Sequence, residues 1–348
     1  MSSAQMFRKL ASPLLHLSGA YARRWQRSAR EEPFTVVLTY HRVVKDEAAG
    51  AGRFDIERGV PASVFEAQIR FMLKYFVSVK ASQVLEPGSG RPRFAVTLDD
   101  GYEDNFLVAA PILRRLGVPA TFFVVSDYVG TDRLFWWEQI AGMVRATGVP
   151  TLDLRATMPD LLNSSRLPPS LPLRTGAERE VAYARLCAAV RAQPHKELPR
   201  YLDRLTQTLE TRPREEGREY ALMNWVQLKE LVRQDFEIGG HTASHVNIVG
   251  ADREMLDTEV VSSISAIERR LGVPVPTFAY PYGYFPESDG SATNALKAAG
   301  CRAAFTGVNG VVNGRCDAFR LPRSHLNRRS NFVWAYNVQD ALNRSQRE

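Results

Sequence analysis

The chain has 348 residues, 45% hydrophobic and 24% charged, which suits a soluble globular protein with one large α/β domain carrying insertions, or two smaller domains. The net charge of +7 is modest. Arg8, Lys9, Arg23, Arg24, Arg27 and Arg30 all precede the first acidic residue, so the remainder is near neutral and argues against a nucleic-acid-binding face. Cys187, Cys301 and Cys316 are scattered, with no Cys-x-x-Cys, which speaks against a disulfide framework or a thiolate zinc site. No apolar run has the length of a membrane-spanning helix.

Residues 1–33 form a basic N-terminal segment. Its apolar patch (Leu14, Leu15, Leu17) is interrupted by Ser12, Pro13, His16 and Ser18, and the Arg23-Arg24 pair follows the patch instead of preceding it. Cleavable export is therefore disfavoured despite an Ala20-Tyr21-Ala22 that mimics a signal-peptidase site. The expectation is an amphipathic segment resting on an anionic membrane face or on the domain itself, with simple disorder as the other choice, and a cytoplasmic or peripheral membrane location.

The β-branched run Phe34–Tyr40 reads as a buried strand that stops at His41-Arg42. A Gly- and charge-rich loop (50–60) follows, then a helix from Pro61 with Phe65, Ile69 and Met72 on one face, and a short strand over Phe76–Val79. Phe94–Leu98 is the next strong strand, and it ends in Asp99-Asp100-Gly101. Asn105–Leu116 reads as helix, stopped by Gly117 and Pro119, and Ala120–Val125 as strand. Near-continuous apolar strands alternating with helices predict a parallel sheet covered by helices. From about 131 to 220 the rhythm changes to a mainly helical insertion, in which Trp136 and Trp137 suit packing at a helix start better than stacking on a sugar. The strand pattern resumes with a helix at Asn224–Val232 and a strand at Phe236–Gly240 that delivers His241-Thr242-Ala243-Ser244-His245. A helix (Arg253–Leu271), a strand (Pro276–Tyr280), a helix (Asn294–Ala299) and strands at Cys301–Thr306 and Phe319–Leu321 complete the domain. It spans residues 34–330, leaving 331–348 as a C-terminal tail.

Taken alone, Asp99-Asp100-Gly101 is a polar turn, since Asp and Gly dominate turns. A carboxylate pair at a strand's exit can also divide labour, one side chain binding a cation and its neighbour serving as a base. His241 and His245, four apart and also past a strand, can meet one cation if the segment between them is helical or tightly turned. Two His and one Asp leave a coordination position for water or substrate, as in a catalytic zinc site.

Thr97-Leu98-Asp99-Asp100-Gly101, His241-Thr242-Ala243-Ser244-His245 and Phe278-Ala279-Tyr280-Pro281-Tyr282-Gly283 resemble, in order, the first three motifs of the polysaccharide deacetylase family (NodB homology, carbohydrate esterase family four). Leu38-Thr39-Tyr40-His41-Arg42-Val43 is similar to the subgroup that de-N-acetylates exopolysaccharides. The resemblance implies a distorted (β/α) barrel of about seven strands, with the site at the strands' C-terminal ends. It also implies a divalent metal, expected to be zinc, on Asp100, His241 and His245, with Asp99 as general base. The Tyr282 backbone N–H would hold the oxyanion, and Tyr280, Pro281 and Tyr282 would line the substrate. The substrate class that the resemblance implies is an N-acetylated polysaccharide or lipid-linked glycan.

Two departures stand out. Ala279 occupies the place where the family's third motif carries an arginine, and Arg323 is the expected substitute at another strand exit. The fourth motif is not recognisable between Gly307 and Phe319. The general acid is therefore contested between His41, which is favoured, and His325. The competing functions are deformylation of a lipid-linked amino sugar and a catalytically inactive glycan-binding module, the latter disfavoured by intact Asp99 and ligand residues. A nucleic-acid deaminase would need a Cys-x-x-Cys that the chain lacks.

Overall fold

A computed structural model of the chain describes residues 15, 17–48, 54, 59–88, 90–164, 167–211, 220–285, 290–326 and 331–345. The first fourteen residues and most of the 50–60 loop lie outside the described residues. The chain divides into two compact units, one of residues 1–49, 59–131 and 222–348, the other of residues 50–58 and 132–221.

In the larger unit the elements run α1 (Ala20–Glu31), β1 (Phe34–Tyr40), α2 (Ala62–Tyr75), β2 (Val77–Val79), β3 (Arg93–Leu98), α3 (Ala110–Arg115) and β4 (Ala120–Val124). In the smaller unit follow α4 (Trp136–Ala146), α5 (Gly176–Arg191) and α6 (Leu198–Thr208). The larger unit then resumes with α7 (Trp225–Arg233), β5 (Glu237–Gly240), α8 (Ser263–Leu271), β6 (Thr277–Ala279), α9 (Ser291–Ala298), β7 (Ala303–Phe305), β8 (Val312–Asn313) and α10 (Asn331–Ser345).

The main sheet has the order β7-β6-β5-β4-β3-β1-β8, and β2 flanks the first half of β3. Every pairing from β1 to β7 is parallel, while β8 is antiparallel to the start of β1. The curled sheet is closed by the segment Leu321–Ser324, which bridges β7 through Leu321 and Phe305, and β1 through Ser324 and Leu38. Backbone bonds from Leu321 N to Ala304 O (2.9 Å) and from Ser324 N to Val37 O (2.7 Å) hold that closure. The result is a distorted barrel of about seven positions.

Strand alternation sorts the core into two parts. Val36, Leu38, Phe94, Val96, Phe122, Ile238 and Phe278 pack outward with the helices. Val37, Ala95, Phe123, Ala279, Phe305 and Leu321 form a separate cluster of strand residues that fills the ring. Two phenylalanines leave room only for small neighbours. A Cβ on Gly239 would lie 2.3 Å from the Phe123 ring, so β5 can pass that ring only as glycine. Phe123 and Phe305 meet at 5.8 Å between ring centroids.

The structure departs from the sequence expectations in several places. Residues Asn105–Ala109 form a π-helical turn before α3, because Pro111 lacks an N–H and cannot continue a regular α-helical ladder. The helix at 253–271 is likewise interrupted by a π turn at Asp257–Ser262. Phe319–Leu321 is not a strand but part of the segment held by single bridges, and β8 was not anticipated, being two residues long. The expected C-terminal tail contains α10, whose Trp334, Ala335, Val338, Ala341 and Leu342 are buried. α1 rests on the domain: Trp25 is 1% exposed and packs against Phe71, Tyr75 and Phe76, while Arg23, Arg24, Arg27 and Arg30 face outward.

In the smaller unit α4, α5 and α6 bury Ile140, Met143, Tyr183, Leu186 and Leu205 together with Phe54, which stacks on Tyr183 at 4.6 Å. An antiparallel pair, Thr151–Asp153 with Ser170–Pro172, interrupts the helices. Trp136 is buried at the start of α4, and Trp137 stacks on Phe135 at 4.5 Å.

Candidate active site

The exits of β1, β3, β5, β6 and the closing segment carry the residues singled out from the sequence. Past β3, Asp100 has φ +73° and Gly101 φ +81°. Two successive left-handed residues break the pleat, so Asp99 and Asp100 need not point to opposite faces. Both are buried, at 2% and 4% exposure. Past β5, Thr242 (φ +65°) and His245 (φ +62°) are left-handed too, and the histidines are brought together by a tight turn, not a helix. Past β6, Tyr282 has φ +61°. Among the described residues six non-glycines have positive φ, and Asp100, Thr242, His245 and Tyr282 are four of them. Each such residue costs roughly 1–3 kcal/mol, the β-branched Thr242 most. Backbone strain among the described residues is therefore concentrated at this site.

The Oδ1 atom of Asp100 lies 3.4 Å from His241 Nε2 and 3.2 Å from His245 Nε2. Neither contact has hydrogen-bond geometry, and buried Oδ1 has no hydrogen-bond partner. His241 Nδ1 lies 2.6 Å from the Ala279 carbonyl; a carbonyl only accepts, so Nδ1 carries a proton and Nε2 is the nitrogen turned toward Asp100. Asp100, His241 and His245 are all buried, and one ligand atom from each lies within 4.8 Å of the others. Burial lowers the pKa of His245 against the pull of Asp100, favouring the neutral ligand form. Burial alone would raise Asp100, but the two imidazoles beside it and the charge of His41 hold it well below the usual range. A buried carboxylate oxygen without a hydrogen-bond partner, facing two imidazole nitrogens, could hold a divalent cation.

Asp99 faces Arg323. Arg323 donates through Nη1 to Oδ1 and through Nη2 to Oδ2, both at 2.8 Å. The guanidinium is itself held by Nε donating to the Thr306 carbonyl (3.0 Å), Nη1 reaching Thr97 Oγ1 (3.3 Å), and the Phe123 ring at 5.8 Å. Burial pushes the Asp99 pKa up, but the charge and the hydrogen bonds of Arg323 oppose it and the carboxyl is held below its ordinary value.

His41 and His325 are exposed and stack with ring centroids 6.4 Å apart and planes 15° apart. His325 is exposed as a whole, but the pKa of its ring is lowered to about 4 by desolvation first, then by the charges of His41 and Arg323, against Asp99. It is therefore neutral at pH 7. Next to His41, Arg42 donates through Nε to Asp104 at 2.8 Å and stacks over Tyr102 at 4.9 Å. This pair ties the β1 exit to the loop behind Asp99 and Asp100. Sequence reasoning gave Asp104 no role, because an acid three residues past a motif reads as ordinary helix-start charge.

Tyr280, Pro281 and Tyr282 do not behave alike. Tyr280 is fully buried, its hydroxyl donates to the Phe319 carbonyl at 3.1 Å, and burial raises its pKa. Its side chain follows the outward alternation of β6 and cannot line a substrate, which corrects the expectation for that residue. Pro281 is buried as well. Tyr282 is half-buried, packs edge-on to His245 at 4.8 Å and places its hydroxyl 3.3 Å from the His245 carbonyl.

A sequence model described as polysaccharide deacetylase matches residues 87–151 and 206–304. IcaB from Ammonifex degensii is similar in structure, with TM-score 0.53 and 17% identity over 87% of this chain and 97% of that one. The Streptococcus pyogenes deacetylase PplD has TM-score 0.53 and 14% identity over 89% and 99%. A de-N-acetylase from Aggregatibacter actinomycetemcomitans has TM-score 0.51 and 17% identity over 87% and 99%. At such identities the likeness is one of fold. YxkH of Bacillus subtilis is 36% identical over 50 residues, 14% of this chain and 18% of that protein, so the match spans less than a fifth of YxkH. With the match running through the strand exits that carry Asp99 and His241, the matched residues are those of a polysaccharide deacetylase domain.

Proposed function

We propose that the chain is a metal-dependent hydrolase that removes N-acetyl groups from amino sugars of a polysaccharide or lipid-linked glycan. The observation that carries this is the buried Oδ1 of Asp100, without a hydrogen-bond partner and facing two imidazole nitrogens, one residue from a carboxylate steadied by arginine. A divalent cation held by Asp100, His241 and His245, most simply zinc, would supply Lewis-acid polarisation of the amide carbonyl and acidify a water. Asp99 takes the proton of the attacking water, and Arg323 keeps its carboxylate oriented and ionised. The Tyr282 backbone N–H stabilises the developing oxyanion. His41 gives a proton to the departing amine nitrogen as the C–N bond breaks, leaving acetate and the free amine. His325, neutral at pH 7, is the poorer proton donor. Acetate release from N-acetylated glycans, with and without chelator, tests the reading. Activity untouched by both chelation and Asp100→Ala sinks it.

A second proposal concerns the partner surface of α1. Its aromatic face is buried and Arg23, Arg24, Arg27 and Arg30 point outward, a charge pattern that suits an anionic membrane face at about 1 kcal/mol per arginine. Among the described residues no helix is long and apolar enough to cross a membrane. Co-sedimentation with phosphatidylserine vesicles should exceed that with phosphatidylcholine vesicles, and changing all four arginines to Gln should abolish the difference. Equal sedimentation of both proteins removes this proposal.

A further inference from the structure

Glu259 belongs to no motif, yet it grips the turn between the two histidines. Its Oε2 accepts from the amides of Ala243 (3.0 Å) and Ser244 (2.9 Å), and its Oε1 accepts from Ser244 Oγ (2.7 Å). The opposite side of the turn is held by the amides of Ser126 and Asp127, which donate to the carbonyls of Thr242 (3.2 Å) and Ala243 (3.0 Å). Thr242 and His245 are both left-handed, so the turn is not one that its residues would adopt on their own. Two amides converge on one carboxylate oxygen, which fixes the direction of both N–H groups. Glu259 is half-buried and lies within the π turn Asp257–Ser262, an insertion that often marks a functional position in a helix.

We propose that Glu259 is a positioning residue for the cation site, its carboxylate fixing the turn that aims the Nε2 atoms of His241 and His245 at Asp100. The proposal rests on the reading of those three residues as metal ligands. Glu259 lies behind the backbone of the turn and acts through it. The hydrogen bonds require an acceptor at that reach, not a negative charge as such: in Glu259→Gln the amide oxygen can take both N–H groups while the NH2 group donates to Ser244 Oγ. Glu259→Asp keeps the charge but shortens the reach by one methylene.

The test is zinc affinity of the full chain, stripped of metal and titrated with zinc against a chromophoric chelator. The visible absorption of the cobalt-loaded protein serves as a second readout of ligand geometry. Glu259→Asp and Glu259→Ala should lose about tenfold or more in zinc affinity, the size expected when the support of a metal ligand is removed, and should shift the cobalt bands. Glu259→Gln should stay close to the unmodified chain in both. A purely structural role would instead move the melting temperature of the metal-free protein and leave the affinity of the folded chain unchanged. Glu259→Asp is the more conservative change and carries the test if Glu259→Ala does not fold. If the unmodified chain binds zinc and Glu259→Asp binds it equally well with the same cobalt spectrum, the positioning role is wrong and the metal site stands. If the unmodified chain binds neither zinc nor cobalt, both fall together.

Discussion

Arg323 and Asp99 are 224 residues apart in sequence and meet as a two-pronged ion pair, each nitrogen 2.8 Å from its oxygen, with both residues about 3% exposed. The pair stands where two changes meet. Ala279 lies in the small-residue wall around Phe123 and Phe305, and the guanidinium instead descends from the closing segment onto the same Phe123 ring. Removing one partner of a buried ion pair leaves the other uncompensated, which costs about 3–5 kcal/mol. Arg323→Ala should therefore lower stability by that amount in urea titration and reduce acetate release by about a hundredfold or more, the scale of losing a positioned base. Arg323→Lys should recover part of the stability but less of the turnover, because an ammonium cannot bind both oxygens in parallel. Undiminished turnover in Arg323→Ala removes the orienting role.

The two exposed histidines should separate under mutation. His41→Ala should cut turnover by about 10²–10⁴-fold, the range for a general acid, whereas His325→Asn should leave most of it. Steady-state rates of acetate release decide the matter, and the reverse ranking transfers the role to His325.

His325 also makes a prediction about pH. Its folded pKa, about 4, lies below the unfolded value of about 6.5. Between those values the unfolded chain binds the proton and the folded one does not, so folding weakens as pH falls through that window and levels off below it. His325→Asn should flatten the fall in urea midpoint between pH 6.5 and pH 4. An unchanged slope means that the ring titrates normally.

Gly239 tests the filling of the ring. Gly239→Ala drives a methyl group into the Phe123 ring, 2.3 Å from the added carbon, and overpacking of this kind costs about 1–3 kcal/mol. Gly239→Ala with Phe123→Leu should recover part of the loss if the clash is the cause. Additive effects in the double variant would place the cause elsewhere.

Trp25→Ala should cost about 3–5 kcal/mol, the range for truncating a fully buried aromatic, since α1 packs into the main core. At low temperature, with the chain still folded, acetate release should be nearly unchanged because α1 contributes no residue to the site. A variant as stable as the parent would mean that α1 is detachable.

How far the sequence could be read depended on the range of the interactions involved. The strands at Phe34–Tyr40, Phe94–Leu98 and Ala120–Val125, the stop at Asp99-Asp100-Gly101 and the His241–His245 spacing are local patterns, legible because strand period and turn chemistry act over a few residues. The π turns before α3 and around Glu259 leave little trace in hydrophobic spacing. The single-residue bridges at Leu321 and Ser324, and the two-residue β8, are too short to carry a period at all. Tyr280 was misassigned for a related reason: a motif names a neighbour of the site, but only the strand's alternation decides which way its side chain points.

The sequence by itself determined the chemistry offered at the strand exits: two carboxylates, two imidazoles four apart, and a third motif lacking its arginine. The tertiary structure decided how these groups are paired. It brought Arg323 to Asp99 by closing the ring between β7 and β1, joined His241 and His245 to Asp100 through left-handed turns, and set Glu259 behind them. Those pairings depend on register, ring filling and backbone strain, which are properties of strands lying side by side and are not encoded in any one stretch of chain.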